Sequence, residues 1–195
     1  MEYIPGHNSW NTSSERNFTT QMSKLHSIKN ENFGYGSHNC IGSLPQINDW
    51  YDNFSEYYWQ SRLRPQLQMA YKQKYLESPE HFVYLEAKLK TFPYEGAVLI
   101  HGDLWAGNRL IAKDNMVYLI DPSLSFGQRE MDLAMMHLFG GYTNRIFELY
   151  NDKMPLQKDW EKRLPMFQLY YLLVHLNIFG RSYLHRVQKI LRYYR

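Results

Sequence analysis

The stretch that decides the reading is His101–Met136, HGDLWAGNRLIAKDNMVYLIDPSLSFGQREMDLAMM. Asp103 lies just behind a short apolar run, Ala97 to Ile100, and Asn108 follows five residues later. Asp121 stands eighteen residues after Asp103, directly behind a second apolar run, Met116 to Ile120. Between them Ala112-Lys113-Asp114-Asn115 reads as a tight turn, so the local pattern is loop, small β-hairpin, loop. That layout can bring three oxygen-bearing side chains to one end of a hairpin.

Those side chains suit phosphoryl transfer, which needs positioning and charge neutralisation more than covalent help. A carboxylate that accepts the proton of an attacking hydroxyl fits Asp103. Magnesium prefers hard oxygen ligands and takes only one or two from a protein, the rest being phosphate oxygens and water. Asn108 and Asp121 would supply that pair. The plain alternative is that both aspartates cap turns; the spacing and flanking residues favour chemistry.

Working outward, the 195 residues suit one domain with a sizeable core. Aromatics make up 16%, and 17 are Tyr, so an aromatic-rich core is expected. A net charge of +3 singles out no partner. From Lys162 to Arg195 there is no acidic residue, which reads as a solvated basic face rather than a nucleic-acid surface. The lone cysteine, Cys40, excludes an internal disulfide and fits a reducing, cytoplasmic setting. The N-terminus lacks a signal-peptide pattern, and no apolar run approaches the ~20 residues of a membrane helix.

Met1-Glu2-Tyr3-Ile4 reads as a strand end, with a turn at Pro5-Gly6. Thr12-Ser13-Ser14-Glu15 has the form of a capping box opening a helix over 13–29, with Phe18, Met22 and Leu25 on one face and His26 beside it as a packed or surface residue. The tract 32–48 carries Gly34, Gly36 and Gly42, but the spacing is no dinucleotide or Walker motif, so it reads as a glycine-rich surface loop. A long helix capped at Asn48 or Asp49 should end or kink at Pro65. Further helices are expected after Ser78-Pro79, over Met131–Leu138 up to Gly140-Gly141, near 143–151, near 157–178, and after Gly180 to about residue 194. Asp132, in a first turn, can cap amides or hold a neighbouring loop, and Arg129 and Glu130 can pair locally.

The chain resembles the fructosamine (ketosamine) kinase family of the protein-kinase-like and aminoglycoside-phosphotransferase-like superfamily. The matching pieces are His101–Asn108, Ile120–Ser123, Phe126–Met135 and Leu138–Tyr142, with Phe33-Gly34-Tyr35, Pro45–Asn48 and Leu169–Gly180 beyond them. The tryptophan of HGDLWAGN and the segment REMDLAM set this family apart from related small-molecule kinases.

The resemblance implies ATP and Mg²⁺ as cofactors. It also implies a ketosamine substrate (a ribulosamine or fructosamine, free or on a glycated protein) and phosphorylation of a sugar hydroxyl that promotes deglycation. It makes Asp103 the catalytic base, Asn108 and Asp121 the metal ligands, and Trp105 a wall of the sugar-amine pocket. Asp132 would fix the catalytic loop. Glu2, Tyr3 and Ile4 would form the interlobe hinge that holds adenine. The implied fold is α+β and mostly helical, about seven or eight helices around a small hairpin. Residues 1–195 would be a single C-terminal lobe beginning at the hinge. The N-terminal lobe, with its glycine-rich turn and phosphate-gripping lysine, would be absent or supplied by a separate chain. On that reading the chain alone should bind nucleotide weakly and turn over little. The competing reading is a non-catalytic module that binds a sugar-amine or a partner.

Overall fold

The computed structural model describes residues 4–7 and 9–195. The first described strand, β1 (Gly6–His7), precedes α1 (Thr12–His26) and β2 (Lys29–Asn30). A hairpin, β3 (Asn39–Ile41) and β4 (Leu44–Gln46), follows. The helical stretch after it comprises α2 (Phe54–Tyr58), α3 (Arg64–Lys72) and α4 (Tyr84–Leu89). The central segment runs β5 (Ala97–Ile100), β6 (Arg109–Ala112), β7 (Val117–Leu119), β8 (Ser125–Gly127) and α5 (Glu130–Phe139). The chain closes with α6 (Asn144–Lys153), α7 (Leu164–Phe179) and α8 (Leu184–Tyr194). This is the α+β arrangement expected, with about half of the chain helical and the strands in small sheets.

Helix α7 is the hub. Its residues are apolar almost all round, as an interior helix must be, and α5, α3 and α8 pack against it. The aromatic core is realised here: Tyr57, Tyr58, Tyr150, Tyr170 and Tyr171 are fully enclosed with Phe54 and Phe167.

The strands form small sheets rather than one hairpin. β6 and β7 make the expected hairpin, with β1 on its outer edge, Gly6 facing Ala112. The Pro5-Gly6 turn is therefore replaced by extended backbone: Lys113 N–H donates to Pro5 O at 3.3 Å and ties the segment to the hairpin. The far edge, β7, is closed by α1, where Asn17 Oδ1 accepts from Val117 N–H at 2.9 Å and Gln21 donates to Val117 O. Covering an exposed edge this way removes a template for aberrant pairing. A second sheet, ordered β2-β5-β8, carries the entry to the catalytic loop.

Several expectations shift for local physical reasons. The helix cap is Asn11 rather than Thr12; its side chain accepts from Ser13 and Ser14 N–H, and Ser14 Oγ accepts from Asn11 N–H. Glu15, freed from capping, reaches Thr143 and Arg145 and joins α1 to α6. Residues 49–53 are not helical, and Asn53 caps α2 instead. Pro65 does not break the helix. A π-helical turn over Trp59–Leu63 precedes it, with Arg64 N–H donating to Trp59 O, and the widened turn absorbs the missing proline donor. The glycine-rich tract is not a bare loop: it contains β3–β4, and Gly34 exchanges backbone hydrogen bonds with Phe126 of β8 at 3.0 and 2.7 Å. Gly34 is needed because a Cβ would strike Asp49 O. No described helix is long and apolar enough to cross a membrane.

Arg129 and Glu130 do not pair with each other. Arg129 forks onto Glu95 at 2.6 and 2.8 Å, and Glu130 accepts from Arg163 Nε at 2.8 Å. Both members of the Glu130–Arg163 pair are buried, and burial raises the Glu130 carboxyl even against the arginine. Removing one partner of a buried pair leaves an uncompensated charge. Arg163→Met should lower the unfolding free energy by about 3–5 kcal/mol in urea titration. Adding Glu130→Gln should restore part of the loss.

Candidate active site

Strand β5 delivers the chain into His101-Gly102-Asp103, where the backbone must turn sharply. Gly102 has φ +79°, and a Cβ there would collide with Ser123 O, so only glycine fits. The turn is held from below by Asp132 of α5, which is completely enclosed. Its Oδ2 accepts from His101 N–H at 2.8 Å, and its Oδ1 accepts from Gly102 N–H at 2.8 Å. The third bond comes from His26 Nε2 at 3.1 Å, and His26 Nδ1 lies 2.7 Å from the Tyr150 hydroxyl. Burial alone would raise the Asp132 carboxyl; the His26 hydrogen bond, aided by both histidines' proximity and the His101 amide, overrides it and holds the group below its ordinary range. Asp132 is thus the loop anchor expected from its place in a first turn.

His101 braces the next layer. Asp103 N–H donates to His101 Nδ1 at 3.3 Å, and Nε2–H donates to Ile120 O at 3.0 Å. Burial lowers the pKa of this imidazole, so both ring nitrogens are spent on a neutral ring and neither serves as a base. The two aspartate-bearing loops are then laced together. Ile120 N–H donates to Asn108 O at 3.0 Å, and Ser123 N–H donates to His101 O at 2.8 Å.

Asn108 links Asp103 to the backbone of Asp121. Asn108 Nδ2 donates to Asp103 O at 2.9 Å and to Asp103 Oδ2 at 3.1 Å, and stands 3.5 Å from Asp121 O. No described residue donates to Asn108 Oδ1 or to the Asp121 carboxylate. Both are oxygens of the type a small hard cation takes. Asp121 is exposed and has φ +50°, a left-handed conformation that non-glycine residues adopt at a cost of about 1–3 kcal/mol where function demands it. Asp103 is half-buried, and its pKa is pushed up to about 6. Burial is the main cause and the Asp132 and Asp121 charges add to it, against the Asn108 hydrogen bond.

Trp105 is 45% exposed and lies over Gly107, whose Cβ would occupy the indole's position. With Asp103 it borders a cavity of about 210 Å³ whose other walls come from the end of β3 and its turn, α5 and α7. Of the three expected hinge residues, Glu2 and Tyr3 lie outside the described residues. Ile4 is half-buried and non-strand, just ahead of the Pro5 contact with the hairpin.

Sequence reasoning missed a second brace. Arg109 stacks on Trp10, 4.2 Å from ring centroid to guanidinium carbon, and donates to Gly141 O at 2.9 Å. Tyr142 Oη donates to Leu104 O at 3.3 Å. The Gly140-Gly141 signal was visible, but it reads only as a helix stop.

Asp103, Asn108 and Asp121 thus lie on two loops at one hairpin, with Asp132 of α5 holding the first loop from behind. The chain belongs to the fructosamine kinase family, whose model matches residues 1–194. It is 34% identical to a probable ketoamine kinase of Enterococcus faecium, over 91% of this chain and 66% of that protein. It is 36% identical to the mouse ketosamine-3-kinase, over 78% of this chain and 50% of that protein. A crystal structure from Thermobifida fusca, of a protein assigned as a fructosamine-3-kinase, superposes with TM-score 0.88 at 34% identity, covering 100% of this chain and 68% of that one. The chain therefore spans half to about two thirds of the length of these two relatives.

The raised Asp103 pKa carries a stability signature. The folded-state value of about 6 stands above an unfolded value near 3.8. Ionising Asp103 therefore destabilises the fold, with no penalty below pH 4 and the full penalty above pH 6. Asp103→Asn should raise stability by about 2 kcal/mol at pH 7.5. The gain should vanish as urea titrations are repeated down to pH 4.

Proposed function

We propose that this chain is the catalytic lobe of a ketosamine kinase, and that it transfers the γ-phosphoryl group of ATP to a sugar hydroxyl of a glycated amine. The observation that carries the reading is the convergence of Asp103, Asn108 and Asp121 on one end of the hairpin, with Asp103 held near pKa 6 beside the Trp105 cavity. Residues 1–195 act as one lobe, and β1 is the end of the hinge, pinned to the catalytic hairpin through Gly6 and Lys113. Glu2, Tyr3 and Ile4 would contact the adenine.

In the reaction Asp103 accepts the proton of the substrate hydroxyl as that oxygen bonds to the γ-phosphorus. The bond from phosphorus to the bridging oxygen breaks, and its electron pair leaves with ADP. A base near pKa 6 is largely ionised at neutral pH yet basic enough to take the proton. Asn108 Oδ1 and the Asp121 carboxylate would hold Mg²⁺, which when bound neutralises phosphate charge. The Asn108 amide meanwhile orients Asp103 Oδ2 toward the hydroxyl. Trp105 offers the sugar an aromatic face. A phosphorylated ketosamine is a less stable adduct, so the activity would support deglycation.

The test is phosphate transfer from Mg-ATP to ribulosyl-lysine and fructosyl-lysine. It is run on this chain alone and on the chain fused to the part of the Enterococcus faecium relative that it does not span. The fusion should be the more active form. Asp103→Asn should reduce kcat by about 10²–10⁴-fold, and kcat/KM should rise with pH through a midpoint of about 6. Transfer by the Asp103→Asn fusion at the unmodified rate would overturn the reading.

A further inference from the structure

Arg62, in the π-helical turn ahead of Pro65, is completely enclosed, yet its guanidinium meets no carboxylate among the described residues. It lies 4.8 Å from the centroid of the Tyr57 ring and 5.8 Å from that of Tyr170. Its hydrogen bonds all go to neutral oxygens. Nη1–H donates to Ile47 O and Ser61 O, and Nη2–H donates to Asn48 Oδ1 at 2.7 Å. Taking a charge out of water without a counter-ion is expensive, and an apolar side chain of like size would avoid that cost. What the arginine holds is read from the bonds that follow.

An arginine only donates, so Asn48 turns its side-chain oxygen to Arg62 and its amide nitrogen away. Asn48 Nδ2 donates to Asn39 Oδ1 at 3.0 Å. Asn39 is oriented in turn, and its Nδ2 donates to Leu124 O at 2.9 Å. Gln46 adds a second branch. Its oxygen accepts from the Tyr170 hydroxyl at 2.8 Å, and its Nε2 donates to Asn39 Oδ1 at 2.9 Å and to Ser123 O at 3.1 Å. The Ser123 hydroxyl donates to Cys40 O at 2.6 Å. The β3–β4 hairpin thus grips Ser123 and Leu124 at three points. Two residues ahead of Ser123 stands Asp121, whose left-handed backbone persists only where its surroundings over-determine it.

We propose that Arg62 is a positioning residue for Asp121: it sets the direction of the Asn48–Asn39 amide relay, and the relay holds the 121–124 loop in its strained form. This inference rests on the kinase reading, in which Asp121 is a metal ligand. Arg62 acts through the relay and touches neither substrate nor reacting atoms. Without it Asn48 is free to flip, Asn39 loses its orientation, and the loop is released. The transfer step should then slow while ketosamine binding, which falls to the Trp105 side of the site, is left alone.

The experiment follows amide hydrogen exchange at Ser123, whose N–H donates to His101 O at 2.8 Å, and at Leu172 and Leu173 inside α7 as the measure of global opening. It is run on the unmodified chain, Arg62→Met, Asn39→Ala, the double variant and Arg163→Met. Relative to α7, Ser123 should exchange about tenfold faster in Arg62→Met and in Asn39→Ala, the loss of one hydrogen bond in the relay. The double variant should add little, because both changes break the same relay. Arg163→Met, which destabilises the fold elsewhere, should quicken both sites equally. In the fusion with the Enterococcus faecium segment, Arg62→Met and Asn39→Ala should lower kcat by about tenfold or more, with little change in KM for fructosyl-lysine. Ser123 unchanged in both variants, or quickened only in step with α7, would overturn the inference and leave Arg62 as core packing. A released loop with undiminished kcat would overturn it as well. Asn39 is half-buried and uncharged, so Asn39→Ala alone decides the matter if Arg62→Met does not fold. No transfer by the unmodified fusion would instead sink the kinase reading itself, and this inference with it.

Discussion

The structure depends on one buried carboxylate that accepts two adjacent backbone amides. Asp132 receives His101 N–H and Gly102 N–H on separate oxygens, and it sits on a helix packed against the central α7. A carboxylate enclosed this completely persists as an anion only when its lone pairs are filled by donors. His26 supplies the third, reaching from a helix more than a hundred residues away in sequence. The consequence is geometric: strand β5 must stop, turn through a glycine and present Asp103 outward. Every other site contact hangs from that turn, including the His101 ring that ties it to Ile120 and the Asn108 amide that orients Asp103.

Two aspartates one loop apart thus live under opposite conditions. Asp132 is satisfied and held below its ordinary range, whereas for Asp103 partial burial and two carboxylate neighbours outweigh its single side-chain donor and push it up to about 6. Environments that drive two like groups apart are how one fold assigns a structural anion and a base. The arrangement is also costly. Asp121 adopts a left-handed backbone and Asp103 is ionised in a site that resists it, so the loop is less stable than one with glycine at 121 and asparagine at 103 would be. That cost is carried by the aromatic interior around α7.

Much of this was legible in the sequence because it is local. The spacing of Asp103, Asn108 and Asp121 around the Ala112–Asn115 turn defines a hairpin and its open end, and Gly140 and Gly180 stop helices where they stand. Asp132 was readable as a loop anchor, since a first-turn carboxylate has few other tasks. What could not be read depends on distant pairings. His26 looks like any packed histidine until Asp132 lies beside it. Glu130 and Arg129, adjacent in the chain, find their partners in Arg163 and Glu95 instead. Nor does a sequence pattern show that a π turn will absorb Pro65, or that Asn11 will displace Thr12 as the cap, because each was decided by neighbours competing for the same hydrogen bonds.

The measurement that tests the account most directly is the titration of the Asp103 side chain itself. Carbon-13 NMR of the aspartate carboxyls, with Asp103→Asn used to assign the signal, gives its midpoint without any assay of activity. A midpoint near 6 would show that the Asp132-anchored turn holds Asp103 as a base, as the structure requires. A midpoint near 3.8, the ordinary value for an aspartate, would contradict it and return the Asp103 cluster to a set of turn-capping side chains.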